Sequence, residues 1–169
     1  NRQVVSRAFP ELYRDLRVQH VSGFFRALRE FLREQAPADG ETPLVVLLTP
    51  GRFHESYFEH LYLARQLGFP LVEGSDLTVR DNTLYLKTLD GLQRVHALLR
   101  RLDDDQCDPL ELLTNSALGI PGLLESVRQG RVLVANALGS GVLESPGLLG
   151  FLPAISEHWL GEELLLPSI

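Results

Sequence analysis

Two histidines and two glutamates lie close together in the segment LVVLLTPGRFHESYFEH, which covers residues 44–60. Imidazole and carboxylate groups at short spacing can bind a metal ion or transfer protons. The zinc-protease pattern requires His-Glu-x-x-His, in which both histidines share one face of a helix. Here His54 and His60 are six positions apart, which would direct their side chains about 120° apart around one helix. We therefore predict no metal site in this segment.

The same segment can be interpreted as the junction between a strand and a helix. Residues 44–48 are an apolar run of the kind found in buried parallel strands, and Gly68 would close a helix expected over about 54–67. His54 and Glu55 would then lie where the backbone N–H groups of a helix start can hold an anion. Anion binding and simple helix capping both explain these two residues.

Polar residues or glycines also follow three other predicted strands. The strand ends EGSD, RRLDDD and NALGSG supply Glu73, Asp76, Arg101, Asp103, Asn136, Gly139 and Gly141. The segment RRLDDD forms either a surface ion-pair network or a clamp, in which arginine binds a carboxylate or phosphate and aspartate faces a cationic group. In NALGSG, Glu144 stands where a dinucleotide fingerprint has its third glycine. This loop is therefore expected to allow close approach of a ligand or a neighbouring domain.

Helical and alternating patterns follow one another along the chain. Apolar residues at helical spacing predict an amphipathic helix over residues 21–32, and a helix is also expected over 121–128. Residues 76–89 alternate in polarity around Asp81 and Asn82, which predicts a β-hairpin. Further strands are expected around 70–74, 95–102 and 131–137.

The end of the chain is predicted to be helical. Ser145 and Pro146 suggest the cap and first turn of a helix over 147–155, and a last helical stretch ends at Gly161. Strands that alternate with helices predict an α/β fold, with a mostly parallel sheet, helices on both faces and a β-hairpin insertion. Ligands bind such sheets at the carboxyl ends of the strands.

The composition limits the classes of partner. The 169 residues carry a formal net charge of −6 with a pI near 5.3, which argues against a nucleic-acid surface because phosphate binding requires a basic face. The single cysteine, Cys107, excludes an internal disulfide and suits a reducing cytosol, so a cytoplasmic location is expected. No apolar run approaches the roughly 20 residues that a membrane span needs.

The chain is expected to form one α/β domain, with a helical lead-in over residues 1–40 and a strand–helix core over 41–169. It opens on NRQVV, contains no methionine and stops after the apolar segment GEELLLPSI. These features predict a fragment of a longer protein.

Several segments, taken in order, resemble the circularly permuted ATP-grasp proteins, which are often labelled glutathionylspermidine-synthase-like. They are the initial NR, TPG with YFEHLYLARQLGFPLVEGSDLTV, RVHALLRRLDDDQCDPLEL, ALGIPGLLESVRQGRVLVANALGSGV and FLPAISEHWLGEELLLPS. The match extends over essentially the whole chain, and combined motifs of this length are specific. The resemblance implies a Rossmann-like, pre-ATP-grasp segment that precedes or interleaves with the nucleotide-binding lobes.

The resemblance also implies a function. Family members are similar to carboxylate–amine ligases, which use Mg-ATP to form an acylphosphate that an amine then attacks, and they are predicted to act in peptide synthesis or modification. ATP and magnesium would be held mostly by other lobes of the parent protein, so no cofactor is expected in this chain alone. The expected partners are those lobes and a small-molecule or peptide carboxylate or amine substrate, without nucleic acid or membrane.

By this resemblance the strand-end residues would line a substrate cleft formed by His54, Glu55, Glu73, Asp76, Arg101, Asp103, Asn136, Gly139 and Gly141. Arginine would pair with a substrate carboxylate, the acidic groups would orient an amine, and no catalytic residue is assigned. Many relatives carry Asp-Asp-Lys after the glycine loop, whereas this chain has Glu144-Ser145-Pro146. This departure leaves an alternative, a catalytically inactive scaffold derived from a ligase that binds a peptide or a partner protein.

Overall fold

A computed structural model describes residues 2–19 and 21–165, and the first residue of the NR motif and the final LPS of the last motif lie outside the described residues. Within the described part, the helices are α1 (Arg2–Ala8), α2 (Pro10–Asp15), α3 (Ser22–Gln35), α4 (Tyr57–Leu67), α5 (Leu123–Arg128) and α6 (Leu152–Leu160). Short 3-10 turns occur at Gly74–Asp76, Asp104–Gln106, Ser140–Glu144 and Pro146–Phe151.

The strands in the described part are β1 (Val45–Leu48), β2 (Leu71–Val72), β3 (Leu77–Arg80), β4 (Thr83–Thr88), β5 (Gly91–Arg94), β6 (Ala97–Arg100) and β7 (Leu133–Ala135). Four of these strands form a parallel sheet in the order β2-β1-β6-β7. The chain passes from β1 to its neighbour β2 and then crosses back to β6, on the other side of β1. The predicted α/β fold with a mostly parallel sheet is confirmed.

One face of the parallel sheet is covered by α3 and α4. Alternate residues of a strand point to opposite faces, and Val45 and Leu47 of β1 point to this side. They pack in one cluster with Leu32 of α3 and with Ala64 and Leu67 of α4. Burial of each large aliphatic side chain contributes about 1.5–3 kcal/mol, so this cluster fixes both helices on the sheet.

The other face is covered by the small antiparallel strands and by α5. Val46 and Leu48 of β1 pack there with Leu77 of β3, Leu84 of β4 and Leu123 of α5. All four residues of β1 are buried, which explains why the strand is apolar at every position instead of alternating. The predicted coverage of both faces is therefore confirmed.

The predicted hairpin forms two strands of a second, antiparallel sheet with the order β3-β4-β5. Asp81 and Asn82 have positive φ angles of 48° and 57°, as a two-residue type I′ turn requires, so the predicted turn is confirmed. The sequence patterns do not predict β5, because its residues, GLQR, include only one apolar side chain. It pairs with β4, where Tyr85 lies opposite Arg94.

A buried carboxylate organises the long segment between β6 and α5. Asp108 is fully buried, and its Oδ1 accepts hydrogen bonds from the N–H groups of Leu110 at 2.9 Å and Gly122 at 3.2 Å. Its Oδ2 accepts the N–H of Leu124 at 2.9 Å. Asp108 thereby satisfies N–H groups at the start of α5 that have no partner within the helix.

Two glycines lie where backbone segments cross at close range. A Cβ atom at Gly74 would lie 2.1 Å from the carbonyl oxygen of Leu118, and one at Gly119 would lie 2.3 Å from that of Gln106. Real Cβ contacts do not reach these distances, so only glycine fits at either position. The crossings hold the segment before α5 against the ends of β2 and β6.

The start of α4 differs from the prediction. The helix begins at Tyr57 and not near His54, because the preceding residues form successive turns in which Nδ1 of His54 accepts the N–H of Ser56 at 3.2 Å. A side-chain acceptor of this kind competes with helical hydrogen bonding. The end of the helix is as predicted, since Gly68 adopts a left-handed conformation with φ of 68°.

The last helical region also differs from the prediction. Pro146–Phe151 is a 3-10 turn that leads directly into α6, and the side chain of Ser145 makes no capping hydrogen bond. The two glycines in this turn disfavour a regular α-helix. Helix α6 ends at Gly161, as predicted. None of the described helices is both long enough and apolar enough to cross a membrane.

Candidate functional site

The carboxyl ends of the parallel strands meet along one edge of the sheet. Leu48, the last residue of β1, is in register with Val72 of β2 and with Arg100 of β6. The chain leaves β1 towards β2 but leaves β6 towards β7, so the loops after β1 and β6 diverge. Such a topological switch point is where open α/β sheets bind ligands.

The side chain of Arg100 holds this edge together. Its Nε donates to the carbonyl of Asn136 at 2.9 Å, and its Nη1 donates to the carbonyl of Leu102 at 2.6 Å. Its Nη2 donates to the carbonyl of Ala137 at 3.2 Å and forms an ion pair with Asp104. These protein oxygens occupy all three nitrogens of the guanidinium. Arg100 is therefore a structural residue that joins β6 to the loop after β7.

Arg101, the next residue, has the opposite character. Its backbone N–H donates to the carbonyl of Leu48 at 2.8 Å, which fixes it beside the end of β1. Its side chain is exposed and makes no hydrogen bond or ion pair with any residue that the structure describes. Alternation directs it to the sheet face that α4 covers. Arg101 is therefore available to bind an anion.

A cavity of about 230 Å³ lies beside Arg101, over the ends of β6 and β7. It brings together four of the predicted site residues, Arg101, Asp103, Asn136 and Gly141. Glu144 lines it as well. The side chains of Asp103 and Glu144 are exposed, and neither carboxylate forms an ion pair in the described part of the chain. The cavity thus combines a free guanidinium with free carboxylates.

The glycine loop after β7 is folded against Asp104. Oδ2 of Asp104 accepts the N–H of Gly141 at 3.1 Å, and the N–H of Ser140 donates to the carbonyl of Ala137 at 3.1 Å. A Cβ atom at Gly141 would lie 3.0 Å from the same Asp104 oxygen, whereas Gly139 is required by its φ of 87°. The close approach at Gly141 is therefore to a carboxylate of the protein itself.

Two imidazole rings stack at the start of α4. The ring centroids of His54 and His60 are 5.8 Å apart, with 20° between the ring planes. Because His54 precedes α4, the 120° separation that assumes one helix is wrong for this pair. Among the described residues, no group of three or more His, Cys, Asp or Glu side chains is placed to hold a metal ion.

The inner ring, His60, is bonded to the loop after β1. It is only 7% exposed, and its Nδ1 lies 2.9 Å from Oγ1 of Thr49, which also accepts the N–H of Gly51 at 3.3 Å. Burial lowers the pKa of His60, and the charges of Arg101 and His54 lower it further, while Glu59 opposes them. His60 is therefore neutral at pH 7.

The predicted acidic residues after β2 cap the 3-10 turn that follows it. The N–H of Glu73 donates to Oδ2 of Asp76 at 2.9 Å, and the Glu73 carboxylate accepts the N–H of Asp76. Glu73 also lies beside Gly51, where a Cβ atom would be 3.1 Å from Oε1. Glu55 is exposed in the loop before α4. The predicted residues outside the cavity beside Arg101 are His54, Glu55, Glu73, Asp76 and Gly139.

The thiol of Cys107 is not placed for catalysis. Cys107 is fully buried, and its Sγ donates to the carbonyl of Asp103 at 3.2 Å. Burial raises the pKa of Cys107 to about 11, so the reactive thiolate is scarce at neutral pH.

Comparison with known proteins decides the family. The family model described as circularly permuted ATP-grasp type 2 matches residues 1–169, which is the whole chain. The chain belongs to this family. The resemblance found in the sequence motifs is therefore confirmed.

The relatives of this ATP-grasp chain are much longer proteins. It is 48% identical over 166 residues to the uncharacterized protein Rv2567 of Mycobacterium tuberculosis, covering 98% of the chain and 19% of that relative. It is 44% identical over 169 residues to the uncharacterized protein sll0335 of Synechocystis, covering 100% of the chain and 35% of that relative. It is 40% identical over 169 residues to the uncharacterized protein Rv2411c of M. tuberculosis, covering 100% of the chain and 31% of that relative. The chain thus spans between a fifth and about a third of the curated relatives it matches.

ATP-grasp proteins generally use ATP and magnesium. Among the described residues, no group of three or more acidic, histidine or cysteine side chains is placed to hold a metal ion, and the glycine loop does not fit a phosphate. The N–H of Gly141, which a phosphate would need, is bonded to Asp104. The carboxylates of Asp103 and Glu144 line the same cavity and would repel a triphosphate. Phosphate-binding loops instead direct free N–H groups at the anion.

The sequence patterns do not identify several residues that line the cavity or hold the loops at this edge. They are Thr49, His60, Arg100, Asp104, Ser140 and Glu144. Alternation separates Arg100 from Arg101 but does not say which of them meets the loop after β7, because that depends on β7 being the neighbour of β6. The sequence does contain a pattern that could have indicated the Thr49–His60 bond. A threonine follows the strand, and a histidine comes within about one turn of the start of the next helix.

Proposed function

We propose that this chain is the substrate-side domain of a circularly permuted ATP-grasp carboxylate–amine ligase-like protein that acts in peptide synthesis or modification. The observation that carries the proposal is the guanidinium of Arg101, which lies at the switch point of the sheet without a partner among the described residues. Arginine pairs with carboxylates through two parallel hydrogen bonds. Arg101 would hold the acyl substrate by such a pair.

The acidic side chains of the same cavity suit the amine substrate. The exposed carboxylates of Asp103 and Glu144 would attract an ammonium group and orient it towards the acyl carbon. An amine must lose a proton to act as a nucleophile, and a nearby carboxylate can accept that proton. The cavity would therefore bring the two substrates together, with Arg101 binding the carboxylate of one and the acidic side chains binding the amine of the other.

ATP and magnesium would be bound by other parts of the full-length protein. The occupied N–H of Gly141 supports this, as does the small share of the relatives that this chain spans. Those other lobes and a small-molecule or peptide substrate are the proposed partners, without nucleic acid or membrane. The acidic composition and the single cysteine support these exclusions and a cytoplasmic location.

The proposal is tested by measuring ADP release from the full-length protein with pairs of acids and amines. Ligase function predicts release that requires both substrates and yields one amide bond for each ADP. Asp103→Asn should raise KM for the amine, whereas Asp105→Asn, in the same turn but outside the cavity, should not. Amide formation with an unchanged amine KM in Asp103→Asn would remove the role of Asp103.

The second candidate is a catalytically inactive, ligase-derived scaffold that binds a peptide or a partner protein. It is favoured by the segment Glu144-Ser145-Pro146, which supplies no lysine where the family resemblance leads us to expect Asp-Asp-Lys. In that case no acid–amine pair would cause ADP release by the full-length protein. Steady turnover would contradict the scaffold.

A further inference from the structure

In the part of the chain that the structure describes, His60 and His96 are both buried, and they differ in how their nitrogens are used. His96 is 3% exposed, its Nδ1 accepts the N–H of Leu44 at 3.1 Å, and its Nε2 lies 3.3 Å from the carboxylate of Glu41. Nδ1 of His96 therefore serves the fold, while its buried Nε2 faces Glu41 without forming a hydrogen bond. His60 is nearly as buried, but only its Nδ1 has a partner among the described residues, and its Nε2 is not sealed from the surface.

The bonds around Thr49 favour one tautomer of His60. Oγ1 of Thr49 accepts the N–H of Gly51, so the arrangement that uses every group has the hydroxyl of Thr49 donate its proton to Nδ1 of His60. A neutral imidazole with an acceptor at Nδ1 carries its proton on Nε2. His60 thus presents an N–H donor at its free edge.

His54 is oriented in the same way. Its Nδ1 accepts the N–H of Ser56 at 3.2 Å, so a neutral His54 also carries its proton on Nε2. The ring is exposed and stacks on His60 at 5.8 Å. The two stacked rings therefore each carry an N–H donor near the end of β1.

The third donor is the guanidinium of Arg101, whose backbone N–H is bonded to the carbonyl of Leu48 at the end of β1. Its charge is the second cause, after burial, of the lowered pKa of His60. The acid among the groups that influence His60 is Glu59, whose effect ranks below those of burial, Arg101 and His54. The charge of Arg101 therefore affects His60 more than the opposing charge of Glu59 does. Nitrogen donors grouped without a carboxylate partner suit a bound oxyanion.

We propose that His54, His60 and Arg101 form one oxyanion-binding site, in which the imidazoles donate from Nε2 and Thr49 positions His60. This rests on the proposed function for its occupant, which is the carboxylate of the acyl substrate, although a phosphoryl group offers the same oxygen chemistry. The site lies on the α4 side of Arg101, and the carboxylates of Asp103 and Glu144 lie in the cavity on the β7 side. The edge is therefore divided into an acyl half and an amine half.

The experiment measures how far an oxyanion protects His54 from carbethoxylation by diethyl pyrocarbonate in the full-length protein. The modified peptides are quantified by mass spectrometry, with the exposed His158 of α6 as the internal control. Glutarate and inorganic phosphate are the two probes, titrated separately at constant ionic strength. The concentration that halves the modification rate of His54 reports the affinity of each anion.

Variants separate a donor from a merely structural residue. His60→Asn keeps a polar atom near Thr49 but lacks a donor at the Nε2 position, whereas His60→Gln supplies an amide N–H there. We expect the half-protection concentration to rise about tenfold in His60→Asn and in Arg101→Gln. His60→Gln should restore most of the binding, and Arg131→Gln, which changes an exposed arginine at the opposite edge of the sheet, should have no effect.

Each outcome decides the proposal. Protection by glutarate that depends on Arg101 and His60 supports a carboxylate site, and the same dependence with phosphate alone supports a phosphoryl site. Absence of protection by both anions, or protection that is unchanged in His60→Asn, overturns the oxyanion site. Protection that depends on these residues, without ADP release by the full-length protein, would support the oxyanion site and reject the ligase function. ADP release without such protection would support the ligase function and reject the oxyanion site.

Discussion

Arg100 and Arg101 are neighbours in the chain, yet their side chains leave the sheet on opposite faces and have opposite roles. Arg100 donates to the carbonyls of Asn136 and Ala137 and pairs with Asp104. Arg101 makes no such contact with any described residue. The first arginine builds the edge of the sheet, and the second is available at that edge for a ligand.

Replacement of Arg100 should loosen the loop after β7. Arg100→Ala removes one partner of a mostly buried ion pair, whose side chains are 10% and 28% exposed, so the free energy of unfolding should fall by about 3 kcal/mol. Limited proteolysis should then cut within residues 136–144. Arg101→Ala is the matched control, because loss of an exposed, unpaired side chain should change stability by less than about 0.5 kcal/mol. Equal losses in both variants would contradict the division of roles.

Replacement of Asp108 should destabilise the segment before α5. Asp108→Ala leaves the N–H groups of Gly122 and Leu124 without their buried acceptor, and we expect a loss of about 3 kcal/mol in denaturant unfolding. Asp105→Ala, at an exposed position nearby, should lie within about 0.5 kcal/mol of the original protein. A small effect of Asp108→Ala would mean that water replaces the carboxylate.

Substitution of the crossing glycines should be equally costly. Gly119→Ala places a Cβ atom against the backbone oxygen of Gln106, and backbone cannot move aside as a flexible side chain can. We expect a loss of about 3 kcal/mol, measured by chemical denaturation. Gly150→Ala meets no atom within 4 Å and needs no positive φ, so it should be neutral or slightly stabilising. Two variants of equal stability would show that the crossing is not tight.

The neutral state of His60 predicts a pH dependence of stability. Its pKa in the folded protein lies below the ordinary histidine value of 6.5, first through burial and then through the charges of Arg101 and His54. The unfolded protein therefore binds the proton more readily, and the free energy of unfolding should fall as the pH falls below about 6.5. His60→Gln should flatten this decline, and His158→Gln should not. If the free energy of unfolding fell equally with pH in the original protein and in both variants, titration of other groups would be its cause.

The parts of the fold that rest on local patterns are predictable from the sequence. The apolar run of β1, the turn at Asp81 and Asn82, and the glycine that ends α4 are all encoded within a few residues. Strand β5 is not, because its GLQR residues form a strand only through pairing with β4. The same limit applies to the site, since which arginine stays free depends on the distant loop after β7.

In the proposed ligase, Arg101 holds the carboxylate of the acyl substrate. The decisive measurement is the KM of the acyl substrate in the full-length Arg101→Ala variant, with the acid–amine pair that gives the fastest ADP release. We predict that KM rises at least about tenfold, while the unfolding midpoint is unchanged and Arg131→Ala behaves like the original protein. An unchanged KM in Arg101→Ala, with turnover intact, would show that Arg101 does not bind the acyl substrate.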